Sequence, residues 1–152
     1  MTATPMSDDD AITAWGLVIE GFLATQQHVM GSVAERFGLA AAPFDILLRL
    51  LRTPGRQMPM TRLAREAALS SGGFTKVADR LERAGLLRRE ASRTDRRIVY
   101  VTLTPAGRAQ AEAARVICAE AVRERVLRPL GPARSASLVS AMRMLREHNG
   151  AV

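Results

Sequence analysis

The sequence is almost without lysine: of its 22 basic residues only Lys76 is one, and Cys118 is the sole cysteine. A lone thiol cannot close an internal disulfide, so a cross-linked secreted scaffold is excluded and a reducing compartment is expected. Histidine is nearly as scarce, with His28 and His148 the only two, and neither stands at metal-ligand spacing from another ligand. There is no phosphate-cradling glycine loop and no nucleophile beside a recognisable base. An enzyme is therefore not expected, nor a metal or cofactor. No segment reaches the roughly 18 apolar residues that cross a bilayer. The opening residues, with Asp8, Asp9 and Asp10, have neither the basic start nor the apolar run of a secretory leader. A cytoplasmic protein without a membrane partner is the expectation.

What remains is an ordinary folding composition with an unusual charge. At 152 residues the chain has the length of one domain, or of one domain with a dimerisation layer, and at 47% hydrophobic residues it is not a disordered chain. Its net charge of +7 favours a polyanionic partner. A GC-rich genome would account for arginine in place of lysine, but not for the excess of positive over negative charge.

Helical periodicity opens the chain. Ser7 is placed to cap a helix whose first turn carries the three aspartates, and Ile12, Trp15, Ile19, Phe22 and Leu23 recur on one face as far as about Met30. A separate short helix is expected over residues 32–37, stopped by Gly38. This amphipathic block has no obvious partner in its own sequence. Phe44, Leu47, Leu48, Leu50 and Leu51 predict a core helix, with Pro43 near its first turn and Pro54-Gly55 at its end. A short helix over residues 61–68, capped by Thr61, turns its Leu63, Ala64 and Ala67 inward.

The pair Gly72-Gly73 costs about 1 kcal/mol per glycine inside a helix, so it marks a turn and the start of the next one. That helix, over residues 71–84, has Phe74, Val77, Ala78 and Leu81 on one face, Lys76, Arg80 and Arg83 off it, and Gly85 at its end. The period then changes to that of two strands, 86–90 and 98–103, around a polar tip holding Arg93, Asp95, Arg96 and Arg97. Thr104-Pro105 starts a long helix to about Leu127. Pro129, Gly131 and Pro132 interrupt it before a last helix over residues 133–148, with Leu138, Val139, Met142 and Leu145 facing inward.

A helix of about 14 residues is roughly 21 Å long and fits the major groove of B-DNA. Ser71 and Gly72 at its start leave backbone amides free to approach a phosphate, and Thr75, Lys76 and Arg80 are candidates for base edges or phosphates. A solvated helix face would show the same pattern. The hairpin favours DNA, because three arginines at a strand tip make poor core and suit a minor groove of negative potential. Asp95, two residues before Arg97, can accept from its guanidinium and orient it.

The run Asp95-Arg96-Arg97-Ile98-Val99-Tyr100-Val101-Thr102-Leu103-Thr104 resembles, without a gap, the DxRxxxVxLT wing signature of the MarR family of bacterial regulators. Leu69-Ser70-Ser71-Gly72-Gly73-Phe74-Thr75, followed by Asp79-Arg80-Leu81-Glu82-Arg83-Ala84-Gly85-Leu86, is similar to the family's recognition helix and its exit into the wing. The similarity is tight from Phe44 to Gly107 and lies in helix pattern alone at the ends. It implies a mainly α fold: a winged helix-turn-helix lobe over residues 41–104 with a two-stranded β wing, and dimerisation helices over 1–40 and 105–152. It further implies a homodimer reading a pseudopalindromic operator in double-stranded DNA, by default as a repressor. Ser71, Thr75, Lys76 and Arg80 would then be recognition contacts, Arg97 the minor-groove residue and Asp95 its orienter.

The same resemblance implies release by a small anionic or aromatic effector held between the dimer helices and the DNA-binding lobe, with Trp15, His28, Phe44, Asp45 and Arg89 as candidate lining. A urate-responsive subgroup is similar at Trp15, Asp45 and Arg89, but places an arginine where this chain has Val77. Trp15, on the apolar stripe, reads more readily as core, and His28 as helix surface. Redox modulation would need a low-pKa cysteine beside a partner in the first helix, whereas Cys118 lies in the penultimate helix among apolar neighbours. A constitutive DNA-binding protein and a sequence-independent nucleoid or RNA binder remain as alternatives, since basic charge alone would serve the latter.

Overall fold

The computed structural model describes residues 6–67 and 69–150. Helix α1 (Asp8–Phe37) starts where Ser7 accepts a hydrogen bond from the Asp10 amide at 3.2 Å, and three carboxylates complement the positive end of its dipole. It does not break near Met30. The helix runs through Gly31 because Val29 before it and Val33 after it are buried, which outweighs the cost of about 1 kcal/mol for one glycine. Gly38, at φ 64°, ends it in the left-handed conformation, and its amide bonds the Ala34 carbonyl at 2.8 Å.

Helix α2 (Ala41–Arg52) supplies the centre of the core with Phe44, Ile46, Leu47 and Leu50. A turn over Pro54–Arg56 leads to β1 (Gln57–Pro59) and α3 (Met60–Glu66). Thr61 is not the cap of α3: the helix already includes Met60, and Thr61 is an exposed residue of its first turn. The expected end of this helix at Ala68 lies outside the described residues. Helix α4 (Ser71–Arg83) buries Phe74, Ala78 and Leu81, and β2 (Leu87–Ala91) and β3 (Val99–Leu103) follow.

The sheet has three antiparallel strands in the order β1-β3-β2, not two. Gln57 pairs with Thr102 and Pro59 with Tyr100 on one side of β3, and Leu87 pairs with Leu103 and Ala91 with Val99 on the other. β1 is too short for alternation to reveal it, and Met58 and Val101 bury its middle. At the base of the hairpin Thr104 accepts from the Gly107 amide at 3.0 Å and donates to the Gly85 carbonyl at 2.6 Å. One side chain thus caps α5 (Pro105–Val122) and ties it to the end of α4.

Beyond α5 the helix widens into a π-helical turn over Arg123–Leu127 and continues as α6 (Arg128–Asn149). The wide turn directly precedes Pro129, whose ring removes the amide that the Arg125 carbonyl would accept from. The break falls at Gly131, at φ 71° and ψ 172°, and Pro132 restarts the helix. Leu138, Val139, Met142 and Leu145 do not face a core of this chain. They are exposed, as are Ile12, Trp15, Ile19, Phe22 and Leu23 of α1, while the core lies around α2, α4, the sheet, and Val33, Ala111 and Ala114. No helix among the described residues is long and apolar enough to cross a membrane.

Candidate nucleic-acid interface

Helix α4 carries its polar face on a start that Ser70, not Ser71, caps: the Ser70 hydroxyl accepts from the Gly73 amide at 3.1 Å. Ser71 and Gly72 are left exposed on the first turn. The Thr75 hydroxyl donates to the Ser71 carbonyl at 2.8 Å, which keeps its lone pairs available to an outside donor. Lys76, Arg80 and Arg83 are exposed at spacings of four and three, so they share one flank of the helix. Among the described residues none of the three forms an ion pair with a carboxylate.

The hairpin tip is built by short local bonds. The Ser92 amide donates to the Ile98 carbonyl at 2.8 Å, and the Ser92 hydroxyl accepts from the amides of Thr94 and Asp95. Asp95 accepts from the backbone amide of Arg97 at 3.0 Å and from Nε and Nη2 of its guanidinium, each at 3.2 Å. The bonds from Arg97 hold the Asp95 carboxyl below the usual aspartate range. The Arg97 side chain is nonetheless 92% exposed, so Asp95 aims it without burying it. Arg93 and Arg96 are exposed at the same tip.

Helix and hairpin meet. Ser71, Phe74 and Thr75 of α4, Met60, Thr61 and Ala64 of α3, and Arg97, Ile98 and Val99 of the wing line one cleft of about 310 Å³. A helix terminus with free amides on one wall and an oriented guanidinium on the other describe an anion-facing surface with a set spacing.

A model of the MarR family matches residues 37–98, which covers α2, the helix pair and the wing to its tip. Over these residues the chain is similar to the MarR family. The MhqR regulator of Bacillus subtilis is 37% identical over 78 residues, or 51% of this chain; the match spans about half (52%) of that relative's length. Likeness of fold reaches much further along the chain. Sco3205, a MarR family transcriptional regulator of Streptomyces coelicolor whose structure is of a complex with DNA, is similar over 96% of this chain and 91% of its own, with a TM-score of 0.85 and 25% identity. AbsC of the same organism is similar over 96% and 97%, with a TM-score of 0.84 and 25% identity. The ends, which the family model does not match, therefore share the fold of these two structures as well.

The five residues expected at an effector pocket do not border one groove in this chain. Phe44 is core, and Asp45 is paired with Arg49 at 2.7 Å; the two border a groove of about 360 Å³ with Gln26, Met30, Ala41 and Leu48. Trp15, 58% exposed on α1, and the exposed His28 are not among its walls. Arg89 is elsewhere and already engaged: its Nη2 lies 2.6 Å from both Asp79 and Glu82, so its guanidinium joins β2 to α4. The signal for that role was present in Asp79 and Glu82, three residues apart on one helix face. Sequence reasoning also missed Ser70 as the cap, while Arg83, placed off the apolar face, was not counted among the candidate contacts.

Proposed function

We propose that this chain is a sequence-specific DNA-binding transcription regulator that works as a homodimer. The observation that carries the reading is the cleft that Ser71 and Thr75 at the start of α4 share with the Asp95-held Arg97 of the wing, with Lys76, Arg80 and Arg83 exposed farther along α4 and in no ion pair among the described residues. In this reading α4 enters a major groove, Ser71 and Gly72 present amides to a phosphate, and Thr75, Lys76 and Arg80 reach base edges or phosphates. Arg97, flanked by Arg93 and Arg96, lies in the adjacent minor groove. The net charge of +7 and the DNA complex of Sco3205 agree with it.

The dimer reading rests on the exposed apolar side chains of α1 and α6. Ile12, Trp15, Leu17, Phe22 and Leu23, with Leu138, Val139, Met142 and Leu145, are a core without a second half, which a second copy of the same helices would complete. Residues 1–40 and 105–152 then form the dimerisation region and residues 41–104 the DNA-binding lobe. Two α4 helices would read successive major grooves of a pseudopalindromic operator, by default in repression. The groove beside Phe44 and Asp45 is the place for a small aromatic or anionic effector. Redox modulation is not favoured, because burial pushes the Cys118 thiol above its usual range and away from the reactive thiolate.

The test is footprinting on genomic fragments that include the gene's own promoter. A protected, two-fold symmetric site that survives excess competitor DNA is expected, whereas uniform coverage that disappears with modest salt would favour a non-specific binder.

A further inference from the structure

Away from the wing tip, three arginines line one groove with a single carboxylate among the described residues that line it. Arg52 at the end of α2, Arg56 in the turn before β1 and Arg115 of α5 line one groove of about 290 Å³. None of the three forms an ion pair among the described residues. The one carboxylate lining the groove, Glu112, is bonded to Arg108 at 2.8 Å. It is held below the usual glutamate range first by that bond, with the charges of Arg56 and Arg115 adding to it. Arg56 is also the single non-glycine residue with a left-handed backbone among those described, at φ 52°, and its Nε is shut off from solvent with no hydrogen-bond partner. A buried donor without an acceptor is a local defect of the fold, and it leaves the outer guanidinium nitrogens of Arg56 as the ones able to meet an anion in the groove.

The groove does not belong to the DNA-facing cleft. Arg56 precedes Gln57, which pairs with Thr102 at the base of the hairpin, while Pro59 pairs with Tyr100 nearer the tip. Arg115 is ten residues along α5 from Pro105, about 15 Å farther from the hairpin. We infer that Arg52, Arg56 and Arg115 form a binding site for a small phosphate-bearing molecule, separate from the DNA surface. Three guanidinium forks around one space suit a tetrahedral dianion with several acceptor oxygens better than a single carboxylate, which could engage one fork in full.

The probe is inorganic phosphate, added to the full chain in chloride buffer at matched ionic strength, with thermal unfolding as the readout. For a site of about 1 mM affinity, 10 mM phosphate raises the folded-to-unfolded ratio about 11-fold, a Tm increase of about 3–6 °C. Arg56→Gly suits the left-handed backbone and should fold at least as well in chloride, yet lose the phosphate-dependent increase. Arg115→Ala, an exposed change on α5, should lose it too, while Arg97→Ala at the wing should keep it. The inference is overturned if phosphate does no more than chloride, or if Arg56→Gly and Arg115→Ala respond like wild type. It is also overturned if the wild type shows no phosphate response while those two variants lose duplex affinity, since the cluster would then serve the DNA backbone.

Discussion

Arg89 gives the carboxylate of Glu82 three hydrogen bonds: from its backbone amide to Oε1 at 2.9 Å, and from Nε and Nη2 to Oε2 at 3.1 and 2.6 Å. Its Nη2 also reaches Asp79 at 2.6 Å. A residue of β2 is thereby fastened to Asp79 and Glu82 of α4, which couples the wing to that helix.

Arg89→Ala should therefore weaken duplex binding although Arg89 does not face the cleft. Its side chain and those of its partners are partly exposed, so solvent screens the pair and a stability loss of about 1 kcal/mol is expected, measured by urea unfolding. The network also has a pH signature. The bonds from Arg89 lower the pKa of Glu82 in the folded protein, so the stabilisation is complete above the unfolded glutamate pKa of about 4.3 and is lost as pH falls through the lower folded value. Glu82→Gln should flatten that acid limb; an unchanged pH profile would show that Glu82 does not titrate as described.

Gly107 and Gly72 make opposite predictions for the same substitution. A methyl group at Gly107 would overlap the Leu86 carbonyl oxygen, where the start of α5 lies against the chain leaving α4. Gly107→Ala should cost about 3 kcal/mol or more and lower Tm sharply. Gly72 has open space around it, so Gly72→Ala should change stability by less than about 0.5 kcal/mol while reducing duplex affinity if its backbone approaches a phosphate. Calorimetry beside a gel shift separates the two effects.

Arg97 is almost fully exposed, and among the described residues its side chain is bonded to Asp95 alone. Arg97→Ala should leave thermal stability within about 0.5 kcal/mol of wild type and reduce operator affinity about 10- to 100-fold, a loss of one minor-groove contact per half-site. Asp95→Asn should give a smaller loss, because the guanidinium remains but is no longer held. Equal effects from the two substitutions would indicate that Asp95 acts by some means other than aiming Arg97.

Phe22, 61% exposed on α1, tests the dimer. Phe22→Asp should shift sedimentation toward the monomer and reduce operator affinity, because two half-site contacts act together only while the copies are joined. The core around Phe74 and Leu47 should remain folded in circular dichroism. A variant that stays dimeric and binds normally would place the interface elsewhere.

The reading unit was legible in the sequence because its signals are local. Gly72-Gly73 marks a helix start through backbone entropy, Gly85 an end, Thr104-Pro105 a new cap, and Asp95 and Arg97 are near enough in the chain to bond within a single turn. Which residues share a groove was not legible. Trp15, His28, Phe44, Asp45 and Arg89 are spread over 75 residues, and only packing decides which of them share a space; Arg89 is drawn off by carboxylates seven and ten residues away across a turn.

The same division runs through the whole chain. Composition, helical and strand period, and caps determined on their own that a helix-turn-helix with a basic hairpin would form, since each depends on neighbours within a few residues. Tertiary contact alone decided that α1 continues through Gly31, where Val29 and Val33 meet the core, and that β1, three residues long, joins the sheet beside β3. It alone brought Arg52, Arg56 and Arg115 to one groove. A glycine's cost in a helix or a short strand's weakness is a local quantity of about 1 kcal/mol, and burial against residues far away in sequence is larger than either.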